Sequence, residues 1–254
     1  MLSFTPSSYK HLLAPLVLFS ILLLFLLFGP IAQLDHYHDF ADQRKQWGIP
    51  NALDVLSNLA YFFVALYGCF HFTKKMYSSA KLQMRDAAYA MLTLSLFATA
   101  IASSYYHWQP DDARLFWDRL PIALACASLI LAIRLETKYR HADQPPYLEI
   151  SLTLLGAITS VVWWKISGDL RWYLALQAIV ILCIPIWQTV YACSKLQRYS
   201  LIGVIVLYGV AKLVESTDHF IFHQLNILSG HSLKHLISAA AAFLILWQWQ
   251  KHSA

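Results

Sequence analysis

Eight stretches of about 20 mostly apolar residues recur along this chain, at 11–32, 52–73, 87–106, 115–134, 147–166, 172–192, 200–216 and 232–249. At ~1.5 Å per residue a helix of that length crosses a hydrocarbon core ~30 Å thick. In lipid the backbone finds no water to bond, so each stretch must satisfy its own N–H and C=O groups as a helix. Of the 254 residues, 58% are hydrophobic and 13% charged, about half the charged share of an ordinary soluble domain. The mean hydropathy is +0.50. The expected fold is therefore all-α, a polytopic transmembrane helix bundle of seven helices plus one N-terminal helix.

The first stretch, His11 to Ala32, competes between a cleaved signal peptide and a retained helix. Its flank is weakly basic (Lys10), and Pro30-Ile31-Ala32 makes a poor small-x-small cleavage site, which favours a retained signal-anchor over 1–34. Short polar loops join the other segments without repeats or low-complexity tracts, so 35–254 is expected to form one membrane domain. Cys69, Cys126, Cys183 and Cys193 are scattered singly, which indicates neither a disulfide framework nor a thiolate metal site. The +5 net charge belongs to loops, since no soluble domain exists to carry a basic face. A nucleic-acid partner is not expected, nor is a protein partner. The expected surroundings are membrane and lipid.

Charge also orders the loops. With a cytoplasmic N-terminus, one set of loops and helix ends carries Lys10, Lys74, Lys75, Lys81, Arg85, Arg134, Lys138, Arg140, Lys195, Arg198 and Lys251, 11 of the 19 Lys and Arg. The other set carries 10 of the 14 acids, among them Asp39, Asp42, Asp54, Asp111, Asp118 and Asp218. The positive-inside rule selects this topology, with a cytoplasmic C-terminus. It also brings every polar cluster to one outer face, whatever its distance along the chain.

The first cluster is SSYYHWQPDDARLFWD, Ser103 to Asp118. Ser103 and His107 are one helical turn apart on one face, and Pro110 ends that run. Asp118 lies just inside the next apolar segment, where a lipid-facing carboxylate costs several kcal/mol, so it is expected to face the bundle interior. Headgroup-solvated interfacial residues are the plain alternative for His107 and Asp118. The second cluster, DHFIFHQLNILSGHSLKHL, holds two HxxxH pairs, His219/His223 and His231/His235. Ser229-Gly230 reads as a helix start, placing the later pair firmly on helix at the spacing with which two imidazoles share one metal. His107, His231 and His235 with a nearby carboxylate compose a catalytic zinc site with one open position. Asp118 then suits acid/base work on water, and Ser103 an oxyanion bond. The tryptophans near segment ends fit interfacial belts, and Lys212 and Glu215 fit an intrahelical pair.

The order SxxxH, Asp eleven residues on, then HxxxH in the last helix resembles the alkaline ceramidases, particularly bacterial-type members, within the superfamily of seven-helix membrane hydrolases that includes adiponectin-type receptors. Ser57-Asn58, SSYYHWQPDDARLFWDRLP and SGHSLKHL carry the resemblance, which covers about 35–250. It implies zinc on His107, His231 and His235, a water-binding carboxylate at Asp118 and an oxyanion-stabilising Ser103. It also implies calcium in the loop before the first family helix, where Asp39, Asp42 and Asn51 are the candidate ligands. Here Arg44 and the missing acid at Asn51 oppose a hard cation, and surface pairing of Asp39 and Asp42 with Arg44 and Lys45 is the alternative. The implied function is cleavage of the N-acyl bond of a ceramide-like lipid, with the site toward the outer side. The other expectation is a seven-helix receptor or ion-handling protein with a structural zinc.

Overall fold

The computed structural model describes residues 10–78 and 81–253. In chain order the helices are α1 (Lys10–Leu27), α2 (Ala52–Ser57), α3 (Leu59–Met76), α4 (Met84–Trp108), α5 (Asp112–Glu136), α6 (Tyr147–Ser167), α7 (Arg171–Val190), α8 (Lys195–Ser216), α9 (Asp218–Leu225) and α10 (Gly230–Ser253). No strand occurs among the described residues, only two isolated bridges. Six helical runs are long and apolar enough to cross a membrane, counting Ala52–Met76 as one. The expected all-helical membrane bundle is the observed architecture. The apolar part of α1, Leu12–Leu27, is shorter than those six.

Helix ends extend beyond the apolar segments because polar caps, and not lipid, decide them. Gln83 and Asp86 form a reciprocal capping box that starts α4 at Met84, and Ser194 with Gln197 does the same for α8 at Lys195, each satisfying N–H groups that have no intrahelical partner. Asp111 caps α5 by accepting from Arg114 N at 2.7 Å.

The bundle is apolar outside and carries its polar groups within. Phe63, Phe70, Leu94, Leu148, Ile166 and Val206 are exposed, while Asp54, Asp86, Ser103, His107, Ser128 and Glu136 are buried. Lipid solvates the first set, and the second must find partners inside. α4 packs between α3 and α5, and α10 closes against α3 and α8. Gly68 permits the α3–α4–α10 approach, since a Cβ there would lie 2.5 Å from Thr93 and 2.9 Å from Leu246. Small residues at such crossings bring backbones together where lipid offers no hydrophobic drive. One end of the bundle is locked by buried ion pairs. Lys75 meets Asp86 at 2.8 Å, Trp249 Nε1 donates to the same carboxylate at 2.9 Å, and Glu136 accepts from Tyr89 and Gln197 at 3.1 Å each.

At the other end the 28–51 segment straps the helix termini together. Ile31 N donates to Asp169 Oδ1 at 3.0 Å, Leu170 N to Ile31 O at 2.8 Å, and Ala41 N to Asp218 Oδ2 at 2.9 Å. Burial works against ionisation of Asp169, but N–H donors from Ile31 and Arg171 together with the Arg171 guanidinium outweigh it and hold its pKa down to about 2.

Candidate metal centre

His107 reaches the site from the last turn of α4, and His231 and His235 from the first turns of α10. All three are buried. Their ring centres form a near-equilateral triangle with sides of 4.7, 4.8 and 4.9 Å. Nε2 of His107 and Nε2 of His231 are 3.2 Å apart, against the ~3.3 Å that follows for two nitrogens at 2.0–2.1 Å from a tetrahedral zinc. Each residue offers one ligand atom within 4.8 Å of the others, and this is the group of three or more potential metal ligands found among the described residues. The donor set fits zinc, copper or iron better than magnesium or calcium, which take oxygen.

The start of α10 is fixed in place by two carboxylates. Ser229 accepts from Ser232 N at 2.9 Å as an N-cap. Ser229 and Ser232 hydroxyls both donate to Asp54 Oδ1, at 3.0 and 2.6 Å. Asp218 Oδ1 accepts from His231 N at 2.8 Å. Negative charge suits a helix N-terminus, so Asp54 and Asp218 hold the turn that carries His231. Gly230 makes the approach to α8 feasible, because a Cβ there would fall 2.1 Å from Val214 O.

The imidazoles are oriented from outside the triangle. Ser57 Oγ donates its single proton to Asp54 O at 3.0 Å and lies 2.7 Å from His235 Nδ1. Nδ1 is then the donor of that second bond, which leaves the Nε2 lone pair of His235 for the centre. The Phe40 ring covers His107 and His231 at 4.8 and 4.4 Å. Nδ1 of His107 is buried without a hydrogen-bond partner among the described residues.

Lys234, 3.2 Å from His231, also borders a cavity of about 280 Å³ between the helices, lined by Asp118, Arg119, Tyr61, Tyr208, Glu215 and Lys234 together with apolar residues of α4, α5, α7, α8 and α10. Asp118 interacts with the Ser103 hydroxyl, and its Oδ1 is buried without a hydrogen-bond partner. Lys234 was not singled out by the sequence. Its Nζ donates to Glu215 Oε1 at 2.8 Å and lies 3.2 Å from His231 Nε2. Lys212 binds the other oxygen of Glu215 at 2.8 Å, as the three-residue spacing predicts. Arg119 is also a new feature, buried with its guanidinium 4.0 Å over the Trp164 ring and near Tyr37 and Tyr173. A lysine and an arginine inside apolar runs carry no motif. Their cost in lipid was the only signal that could have found them.

The three calcium candidates do not converge. Asp42 is gripped bidentately by Arg44 at 2.7 Å on each oxygen, and Arg44 also donates to the carbonyls of Asn226 and Ile227 at 2.9 Å each. Asn51 Nδ2 donates to His107 O at 2.8 Å, and Asp39 faces Gln43 and His219. The guanidinium supplies the cation at this point, so no calcium is assigned here. His219 and His223 lie on α9, outside the triangle. His219 is exposed and bonded to Asp39 O at 3.1 Å.

No family model, curated protein or solved structure matches the chain. The chemistry therefore rests on the site itself.

Proposed function

We propose that the protein is an integral membrane zinc amidohydrolase that cleaves the N-acyl bond of a ceramide-like lipid, releasing a fatty acid and a sphingoid base. The observation that carries this reading is the triangle of His107, His231 and His235 beside a cavity between the helices that contains a carboxylate, Asp118, with Lys234 reaching from the cavity wall to His231. A zinc ion on three imidazoles supplies a Lewis acid and brings the pKa of bound water to about 7. The apolar cavity walls suit a hydrocarbon chain, and the polar end of the cavity suits the amide.

In this scheme Asp118 takes the proton from the attacking water and returns it to the leaving amine, so that the C–N and water O–H bonds that break are replaced by one C–O bond at the acyl carbon and one N–H bond on the amine. Ser103, one turn before His107, donates to the oxygen on which negative charge develops. Lys234 adds a fixed positive charge at the same rim, restrained by Glu215.

The test is metal analysis and hydrolysis of a labelled ceramide by one purified preparation. About one zinc per chain with amide turnover supports the reading. Bound zinc without turnover of any N-acyl lipid would instead favour a structural metal in a receptor or ion-handling protein.

A further inference from the structure

A second recess lies away from the histidines, between α1 and the faces of α5, α6 and α7, with a volume of about 840 Å³. It shares no lining residue with the cavity that contains Asp118. Its origin is the way α1 is attached. At the strap end Arg171 Nη1 donates to Phe25 O at 3.1 Å, and Ile31 is bound to Asp169 and Leu170. Toward Lys10, no hydrogen bond from an α1 side chain is found among the described residues, and α1 packs against α7. A wedge is left between α1 and α6. Leu18, Leu22, Leu152 and Leu176 are among its apolar walls.

The mouth of the wedge is charged. Lys10, Arg134, Lys138 and Glu149 all line it. Glu149 is already engaged, by Arg134 Nε at 2.5 Å and by Tyr139 Oη at 2.5 Å, and Lys138 Nζ stands 3.7 Å away. Lys10 has no carboxylate partner among the described residues. Three cations against one carboxylate leave the mouth with a formal +2. Apolar walls with an unneutralised basic rim, in a helix bundle built for lipid, complement one occupant. Its chains must be hydrocarbon, and its headgroup must leave the negative charge of the phosphate uncompensated. A zwitterionic lipid would bring its own ammonium against Lys10 and Lys138. Basic pockets between membrane helices bind anionic headgroups for this reason, and the recess falls in the ~300–1,000 Å³ range of ligand sites.

We propose that this wedge is a binding site for an anionic glycerophospholipid, whose headgroup sits on Lys10 and Lys138 and whose acyl chains fill the space between α1 and α6. The lipid would then act as packing for α1, at the end of the bundle opposite the histidines.

The experiment is thermal unfolding of the full-length, delipidated protein in detergent, with added phosphatidylglycerol or phosphatidylcholine of identical acyl chains, and with oleate as a single-chain anion. Phosphatidylglycerol should raise Tm by about 5 °C more than phosphatidylcholine near saturation, and oleate should give less. The Lys10→Gln/Lys138→Gln double variant should abolish that difference. Gly156→Trp should remove stabilisation by both phospholipids, because Gly156 lines the wedge and a Cβ there meets nothing within 4 Å, so the added side chain starts into that space. Equal shifts from the two phospholipids would overturn the proposal, as would oleate matching phosphatidylglycerol. So would headgroup selectivity that survives in the double variant or an undiminished shift in Gly156→Trp.

Discussion

Nδ1 of His235 lies 2.7 Å from Oγ of Ser57, a residue 178 positions earlier in the chain. The bond turns the other imidazole nitrogen toward His107 and His231, and partners of this type raise metal affinity by fixing both tautomer and ring angle. Ser57→Ala should therefore fold normally and bind zinc about 10 to 100-fold more weakly, as read by competition with a chelator. An unchanged affinity would mean that α10 alone orients His235.

The two HxxxH pairs make opposite predictions. His231→Ala or His235→Ala should lose zinc and turnover together, while His219→Ala and His223→Ala should keep both, because α9 points neither residue into the triangle. Zinc content by elemental analysis decides. Loss of metal in the α9 variants would move the site to His219 and His223.

Much of this arrangement was legible in the chain. The apolar segments gave the long helices, since lipid leaves the backbone no alternative, and the His107, Asp118 and His231/His235 spacings marked their own helix faces. The sequence was silent where partners are distant and unpatterned. Nothing local ties Asp54 to Ser229 and Ser232, or Asp218 to Ala41 and His231, yet these bonds hold the turn that carries His231. The split at Thr217 that creates α9 was also hidden, because the polar run 215–219 reads as loop. Arg44 was visible as an obstacle to calcium, but its grip on the Asn226 and Ile227 carbonyls appears only in the fold.

Asp169 makes the α1 strap sensitive to acid. Its pKa is depressed from the ordinary 3.8 to about 2, so its contribution to stability is complete above about 4 and is lost as pH falls toward 2. Thermal unfolding between pH 6 and pH 2.5 should show a decline in Tm that Asp169→Asn, already destabilised at pH 6, shows less steeply. Parallel curves for the two proteins would remove Asp169 from the explanation.

Sidedness follows from the charge asymmetry. The residues that cluster with Lys75, Arg134 and Lys138 should face the cytoplasm, and the strap with His107 and Asp111 the outside. A reporter fused after Ala254 should be cytoplasmic. A cysteine placed at Asp111 should react with an impermeant reagent in intact cells. Protection of that cysteine, with labelling only after lysis, would invert the topology and turn the site inward.

The sharpest separation of roles concerns Asp118 and Ser103. Asp118 lines the cavity with one oxygen unpartnered, which suits a group that exchanges a proton, whereas the three imidazoles suffice as the protein ligands of the proposed open zinc site. Asp118→Asn keeps size and hydrogen bonding but cannot accept the proton. Zinc should stay near full occupancy while amide turnover falls about 100 to 10,000-fold. Ser103→Ala should also retain zinc and lose about 100 to 1,000-fold, as for removal of one oxyanion donor. Both measurements belong on the same preparations. A zinc-free Asp118→Asn protein would make Asp118 a ligand, and a fully active one would remove it from the chemistry.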